Sequence, residues 1–425
     1  MTETSGQPSA PADPSTPPAE RPRHPVRELL GEAEFLKVWG IGALAGSMRW
    51  LEVLATGIYV YEVTGMAVVV SVILMARTLP MFVFGFVFGT AAERMDRRWM
   101  FRVAMVTMAV NTAGLAVLAW SGEIEVWHIF LGALINGIAW ATDFPVRRTI
   151  IGFIAGEKRV GSAMSLDSAT TNVTRMTGPM LGGLLYETIG LPGAFAVAAG
   201  CYGICAVIAM LTHGGAGEGA RSKASGEQEG FFASLKAGLS GLRGRDGLIA
   251  VLAVTVAMNL FGFPYAALIP ALGEHRFQID AFLTGVLMSA EGMGATIGAF
   301  VIAVVARPAW FRRVYFIGAL TFLSSIMVMS QISSYSLALV VLILGGFGLA
   351  GFGSMQSTLV FLSAPPEARS RMMGLVSVCI GAAPLGLLHV GWLGDTFGTE
   401  IALMVTSGWG LVATLAIIAL SSRRR

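Results

Sequence analysis

Seven ionisable residues stand inside long apolar runs: Arg49, Glu52, Arg77, Asp143, Asp167, Arg175 and Glu291. A charge in hydrocarbon costs roughly 2.5–3.5 kcal/mol on insertion scales, so each such group is expected to face a cavity or a partner. Arg49 and Glu52 lie three positions apart and share a helix face. They read either as a cavity-lining pair that binds a polar group or carries a proton, or as an ion pair that fixes packing. Glu291, in "SAEGMGATIGA", has no ionisable neighbour along its own run. An isolated carboxyl group in apolar surroundings is suited to taking up and releasing a proton, which makes Glu291 the leading candidate for that chemistry. Asp143 and Asp167 fall near the ends of their runs, where Asp143 has Arg94, Arg97 and Arg147 as candidate partners in a gate contact. Arg77 lies midway along a run, and Arg175 continues a stripe with Asp167 and Thr171 at four-residue steps.

The elements that must position these groups follow from composition. Of 425 residues, 55% are hydrophobic and 13% charged, with mean hydropathy +0.70. Soluble domains carry charge at about twice that density. Apolar runs near 20 residues recur, the length that crosses about 30 Å of hydrocarbon. They lack the alternation of barrel strands, so the chain reads as an all-α polytopic membrane protein. Twelve transmembrane helices are expected in two six-helix halves, with spans four to six near 127–152, 162–187 and 193–212. The expected organisation is a disordered cytosolic tail (1–34), a first bundle (35–212), a linker (213–246), a second bundle (247–421) and a basic tail (422–425). The start lacks the apolar core of a signal peptide. Within the linker, Phe231, Leu235, Leu239 and Leu242 recur at the spacing of an amphipathic helix.

Basic residues collect in alternate connections, such as Arg94, Arg97, Arg98 and Arg102 after span two and Arg307, Arg312 and Arg313 after span eight. By the positive-inside rule both termini are expected on the cytosolic side of the inner (plasma) membrane. The halves also resemble each other. Gly183, Leu185, Glu187, Thr188 and Gly190 correspond to Gly391, Leu393, Asp395, Thr396 and Gly398 at an offset of 208. Six spans separate the copies, which gives parallel repeats with a pathway between them.

Cys201, Cys205 and Cys379 lie in apolar runs, and the five histidines are scattered singly, so no metal or cofactor is expected. No nucleic-acid partner is expected either; membrane lipid is. Trp50, Trp140, Phe261 and Tyr265 lie on spans near the expected pathway and are candidate contacts for an amphipathic ligand. In "RMTGPMLGGLL", Pro179 removes a backbone donor while Gly178, Gly182 and Gly183 leave a smooth face for a neighbouring helix. The stretch reads as a cavity charge, Arg175, in front of a hinge-like seam.

"GTAAERMDRR", Gly89 to Arg98, resembles the loop between helices two and three of the major facilitator superfamily: Gly89, Ala92, Arg94, Arg97 and Arg98 match, and Glu93 stands where aspartate is usual. "GPMLGG", Gly178 to Gly183, is similar to the helix-five motif of antiporters in that superfamily. With "PPEARSRMMGL", these stretches look most like its transmembrane secretion effector branch, which includes siderophore and macrolide exporters. Ala133 stands where many drug and proton antiporters carry an arginine. The resemblance implies a gating role for the loop residues and helix-five glycines, and a monomer is expected. It further implies export of a small amphipathic molecule, such as a drug or siderophore, by proton antiport with alternating access. The alternatives are an uptake or facilitated-diffusion permease of the same fold and, further off, a membrane enzyme acting on lipid, which the scattered histidines disfavour. No nucleotide-binding loop of G-x-x-x-x-G-K-[ST] type occurs that could supply another energy source.

Overall fold

The computed structural model describes residues 25–94, 96–212, 242, 245–363 and 369–423. The helices are α1 (Pro25–Leu30), α2 (Ala33–Thr64), α3 (Ala67–Arg94), α4 (Arg97–Ser121), α5 (Val126–Gly156) and α6 (Arg159–Met210) in the first half. In the second half they are α7 (Asp246–Phe277), α8 (Ala281–Val305), α9 (Pro308–Met329), α10 (Tyr335–Ser363), α11 (Arg369–Ile380), α12 (Ala383–Phe397) and α13 (Thr399–Arg423). Among the described residues nine helices are long and apolar enough to cross a membrane. The expected twelve adds α2, α3 and the second arm of α6. Side chains on the outer surface are apolar, as lipid contact requires: Val110, Trp120, Phe300 and Val412 are all more than half exposed.

Residues 126–210 run helix into helix, and two glycines make the breaks. Gly156 and Gly190 have φ of 66° and 68°, a region that side chains strain to enter. The chain therefore turns at these two points. Pro145, Pro179 and Pro192 stay inside helices, so Pro179 does not interrupt its segment.

Three expectations change. The tail expected over 1–34 gives way earlier to structure, since Pro25–Leu30 is helical and α2 begins at Ala33. Gly89, Glu93 and Arg94, expected in a loop, belong by backbone to the last turns of α3; their side chains lie outside the described residues. Span seven is not a uniform helix. Met258–Gly262 and Leu272–Phe277 are π-helical and Phe263–Leu268 is 3₁₀, around Pro264 and Pro270, which cannot donate to the ladder. Linker residues 213–241, with most of the expected amphipathic helix, and residues 1–24 and 424–425 fall outside the described residues.

Candidate functional site

The first half is tied together around Glu52, which is 1% exposed. Its carboxylate pairs with the Arg77 guanidinium and accepts a hydrogen bond from Thr112 Oγ1 at 2.8 Å. The Asn136 amide donates to both carboxylate oxygens at 3.3 and 3.4 Å and is itself bonded by Asn111 Nδ2 at 2.9 Å. Arg77 also donates to the Arg49 carbonyl at 2.9 Å. Helices α2, α3, α4 and α5 thus meet at one satisfied polar centre. Glu52 does not pair with Arg49, because its side chain turns into the bundle toward α3. Removing the carboxylate would strand a buried guanidinium, so Glu52→Ala is expected to cost roughly 3–5 kcal/mol. Thr112→Val, which removes one neutral donor, should cost about 1–2 kcal/mol. Thermal unfolding of the two purified variants in detergent checks this order.

Arg49, one turn earlier on α2, takes different partners. Its guanidinium stacks on Trp140 at 4.4 Å from the ring centroid and lies 5.4 Å from that of Trp50. It lines a narrow cavity with Asp143, Arg147, Thr171, Thr174 and Tyr202. The cavity's volume is about 30 Å³, far below the ~300 Å³ a drug-sized ligand needs. At the base of the cavity Arg147 pairs with Asp167, with Asp143 at 3.5 Å, while Arg148 Nε reaches Asp167 at 2.9 Å. Asp143 and Asp167 therefore share partners within the first half. A side chain at Gly42 would occupy the space that Arg147 takes.

Arg175 and Glu291 meet between the halves. Arg175 Nη2 lies 2.5 Å from Glu291 Oε1, and the Tyr265 hydroxyl donates to Oε2. Glu291 is 3% exposed and Tyr265 2%. The guanidinium also lies over Trp50 at 5.3 Å and near Phe263 at 6.0 Å. Gly292 brings α8 close enough for this pair, since a Cβ there would sit 2.8 Å from Met176 Cα. Glu291 has no partner along its own helix, and its partner comes from the opposite half. Tyr265 reaches it from the distorted part of α7, so the π and 3₁₀ turns aim a hydroxyl at the pair.

The glycine face after Arg175 divides between two interfaces. Gly178 and Gly182 press α6 against α2 of the same half: a Cβ would lie 2.8 Å from the Ser47 carbonyl at Gly178 and 2.7 Å from that of Leu51 at Gly182. Gly183 instead faces the Ala281 carbonyl and Phe282 of the other half, where a Cβ would lie 3.0 Å from Phe282 Cα. Pro179 offers its carbonyl side to Gly285, and the Met180 amide donates across the halves to Ser289 Oγ at 3.1 Å. Beyond it, Glu187 accepts from the Ala281 amide at 3.1 Å, capping the start of α8. The second half returns the contact. Asp395 accepts from the amides of Ala67 and Val68 at 2.6 and 3.0 Å, capping the start of α3, and Gly391 lies against Val68. Glu187 and Asp395, like Gly183 and Gly391, are corresponding positions of the internal repeat. These hydrogen bonds and the Arg175–Glu291 ion pair join the halves between mid-depth and this end.

Elsewhere, Asp96 caps α4 by accepting from the Arg98 amide at 2.9 Å, and the Arg97 guanidinium lies 4.9 Å from the Phe153 ring. Phe261 meets the His389 ring edge-on at 6.3 Å, outside the Arg175 cluster. Among the described residues no group of histidine, cysteine and carboxylate side chains is placed to hold a metal.

Residues 38–385 match the family described as the Major Facilitator Superfamily. The chain is 26% identical over 373 residues to the multidrug efflux pump Tap of Mycolicibacterium fortuitum, covering 85% of this chain and 90% of the relative. It is 22% identical to macrolide efflux protein A of Streptococcus pyogenes, covering 91% and 95%. Among solved structures, the POT family transporter PepTSo superposes with a TM-score of 0.73 at 13% identity, covering 95% of this chain and 98% of that one, a likeness of fold alone. The family match spans both bundles and the polar clusters on each side of their interface, and this multi-pass membrane chain belongs to the major facilitator superfamily, a transporter rather than an enzyme.

Proposed function

We propose that the chain is a secondary active exporter of a small amphipathic molecule, a drug or a siderophore-like metabolite, driven by proton antiport through alternating access of its two halves. The observation that carries this reading is the Arg175–Glu291 pair, which joins a buried carboxylate to a half-buried guanidinium of the opposite half. Such a pair breaks when the halves separate, and the freed carboxylate then needs either water or a proton. Protonation of Glu291 is thereby coupled to opening of the interface. Tyr265 holds the carboxylate in place while the pair is made.

The efflux names of the relatives support the direction of flux, and the sequence's basic connections support cytosolic termini in the plasma membrane. With that orientation the described contacts close the outer end, and substrate would enter from the cytosol. Inside-out vesicles from overexpressing cells test the reading. A labelled macrolide, or another member of a susceptibility and siderophore-secretion panel, should accumulate when the lumen is acidified, and adding it should release protons from the lumen. Accumulation indifferent to the pH gradient would remove proton coupling, and accumulation only in right-side-out vesicles would favour uptake.

A further inference from the structure

We propose that Arg49 and Tyr202 form a recognition site for an anionic group, so that the transported molecule is an amphiphile bearing a carboxylate or a comparable anion; this rests on the exporter reading. The cavity around Arg49 is lined by three guanidiniums, Arg49, Arg77 and Arg147, against two carboxylates, Glu52 and Asp143. Both carboxylates are engaged, Glu52 with Arg77 and Asp143 with Arg147. Asp167, behind the cavity, is shared by Arg147 and Arg148. Of these three guanidiniums, Arg49 has no carboxylate within ion-pair distance among the described residues. Its contacts are the faces of Trp140 and Trp50, which attract a cation without neutralising it.

A second unsatisfied donor faces the same space. Tyr202 is 2% exposed, lines the cavity, and its hydroxyl makes no hydrogen bond among the described residues. Of the other polar lining groups, Asp143 Oδ1 and Arg147 Nε face each other as an ion pair at 3.5 Å without a hydrogen bond. Thr171 and Thr174 donate to backbone carbonyls one turn back, and the Asn136 amide is committed to Glu52 and Thr112. The guanidinium only donates and the hydroxyl can donate beside it, and the lining carries one more positive than negative charge, which favours an anion over a cationic group. The free space suits a carboxylate or a halide, with the indole of Trp140 beside it for an apolar or aromatic remainder.

Purified full-length protein in detergent tests this by titration calorimetry with chloride, acetate and benzoate against acetamide and benzamide. The carboxylates should bind at least tenfold more tightly than their amides. Arg49→Gln should remove that preference, and Tyr202→Phe should weaken benzoate severalfold in a protein of unchanged fold. Benzoate binding that chloride does not displace assigns the site to an anion borne by an organic molecule. Chloride that binds saturably and displaces benzoate keeps the anion site but makes a free small ion its occupant, overturning the inference about the transported molecule. Equal binding of acid and amide, or an undiminished carboxylate preference in Tyr202→Phe and Arg49→Gln, overturns the site. In vesicles, proton-driven export that survives Arg49→Gln with a neutral or cationic substrate leaves the exporter reading standing while refuting the anion requirement; carboxylate binding without any export does the reverse.

Discussion

Arg175→Ala and Glu291→Ala are each expected to abolish transport, and the double variant is expected to recover stability without recovering transport. The reason is the asymmetry of a buried pair. Removing Arg175 leaves Glu291 at 3% exposure with only the Tyr265 hydroxyl for company, a loss of roughly 3–5 kcal/mol. Removing Glu291 strands an arginine that is 28% exposed at its side chain and rests on Trp50, so the loss should be smaller. Removing both leaves no stranded charge. A double-mutant cycle on thermal unfolding should therefore show strong coupling, at least about 1–3 kcal/mol. Transport measured on the same variants should fall more than tenfold in all three. If the cycle shows additivity, the two side chains do not meet in the protein as it exists in detergent. If Arg175→Ala transports normally, its assignment to the pathway is wrong.

Glu187→Ala combined with Asp395→Ala is expected to shift the molecule toward opening at the end where both caps lie. Each carboxylate satisfies backbone amides at the start of a helix in the opposite half, and losing such a cap costs about 0.5–2 kcal/mol. The two together should move the equilibrium by roughly five- to several-hundred-fold. Both groups are exposed, so salt should diminish the effect. Spin labels at Val63 and Ile401, in a chain freed of Cys201, Cys205 and Cys379, report the separation of the halves at that end. The double variant should show a longer-distance population that the parent lacks; unchanged distributions would mean the caps are incidental.

The repeat made these caps half visible beforehand. Glu187 and Asp395 correspond at a fixed offset along the chain, but correspondence does not say what either one touches. Their partners are backbone amides of Ala281, Ala67 and Val68, which carry no side-chain signal at all. The same limit hid the Arg175–Glu291 pair. Helical spacing reveals neighbours three and four residues apart, and neither residue has an opposite charge at that distance along its own helix. At Arg49 and Glu52 the shared face holds, since both line one cavity, but spacing could not show that Arg77, from the next helix, takes the carboxylate.

The overall architecture was legible for a different reason. Apolar runs of membrane-crossing length have one stable backbone solution in lipid, so composition alone fixes their helicity. Where side chains rather than length decide, composition is silent. The π and 3₁₀ turns of α7 arise around Pro264 and Pro270, and nothing in the run's hydropathy distinguishes a broken helix from a whole one. That break brings Tyr265 to Glu291, so the least legible part of the fold supplies a hydroxyl to the pair at its centre. The glycine face of α6 was visible as a close-packing surface, while its division between α2 and α8 depends on which side of the helix each glycine takes.

The central claim is that proton movement runs through Glu291. Wild-type protein and Glu291→Gln, reconstituted in vesicles with a pH indicator in the lumen, test it by the luminal pH change on adding a transported substrate. The account predicts a substrate-dependent proton signal from wild type and none from Glu291→Gln, with substrate exchange across the membrane retained in the variant. An equal proton signal from both would contradict it.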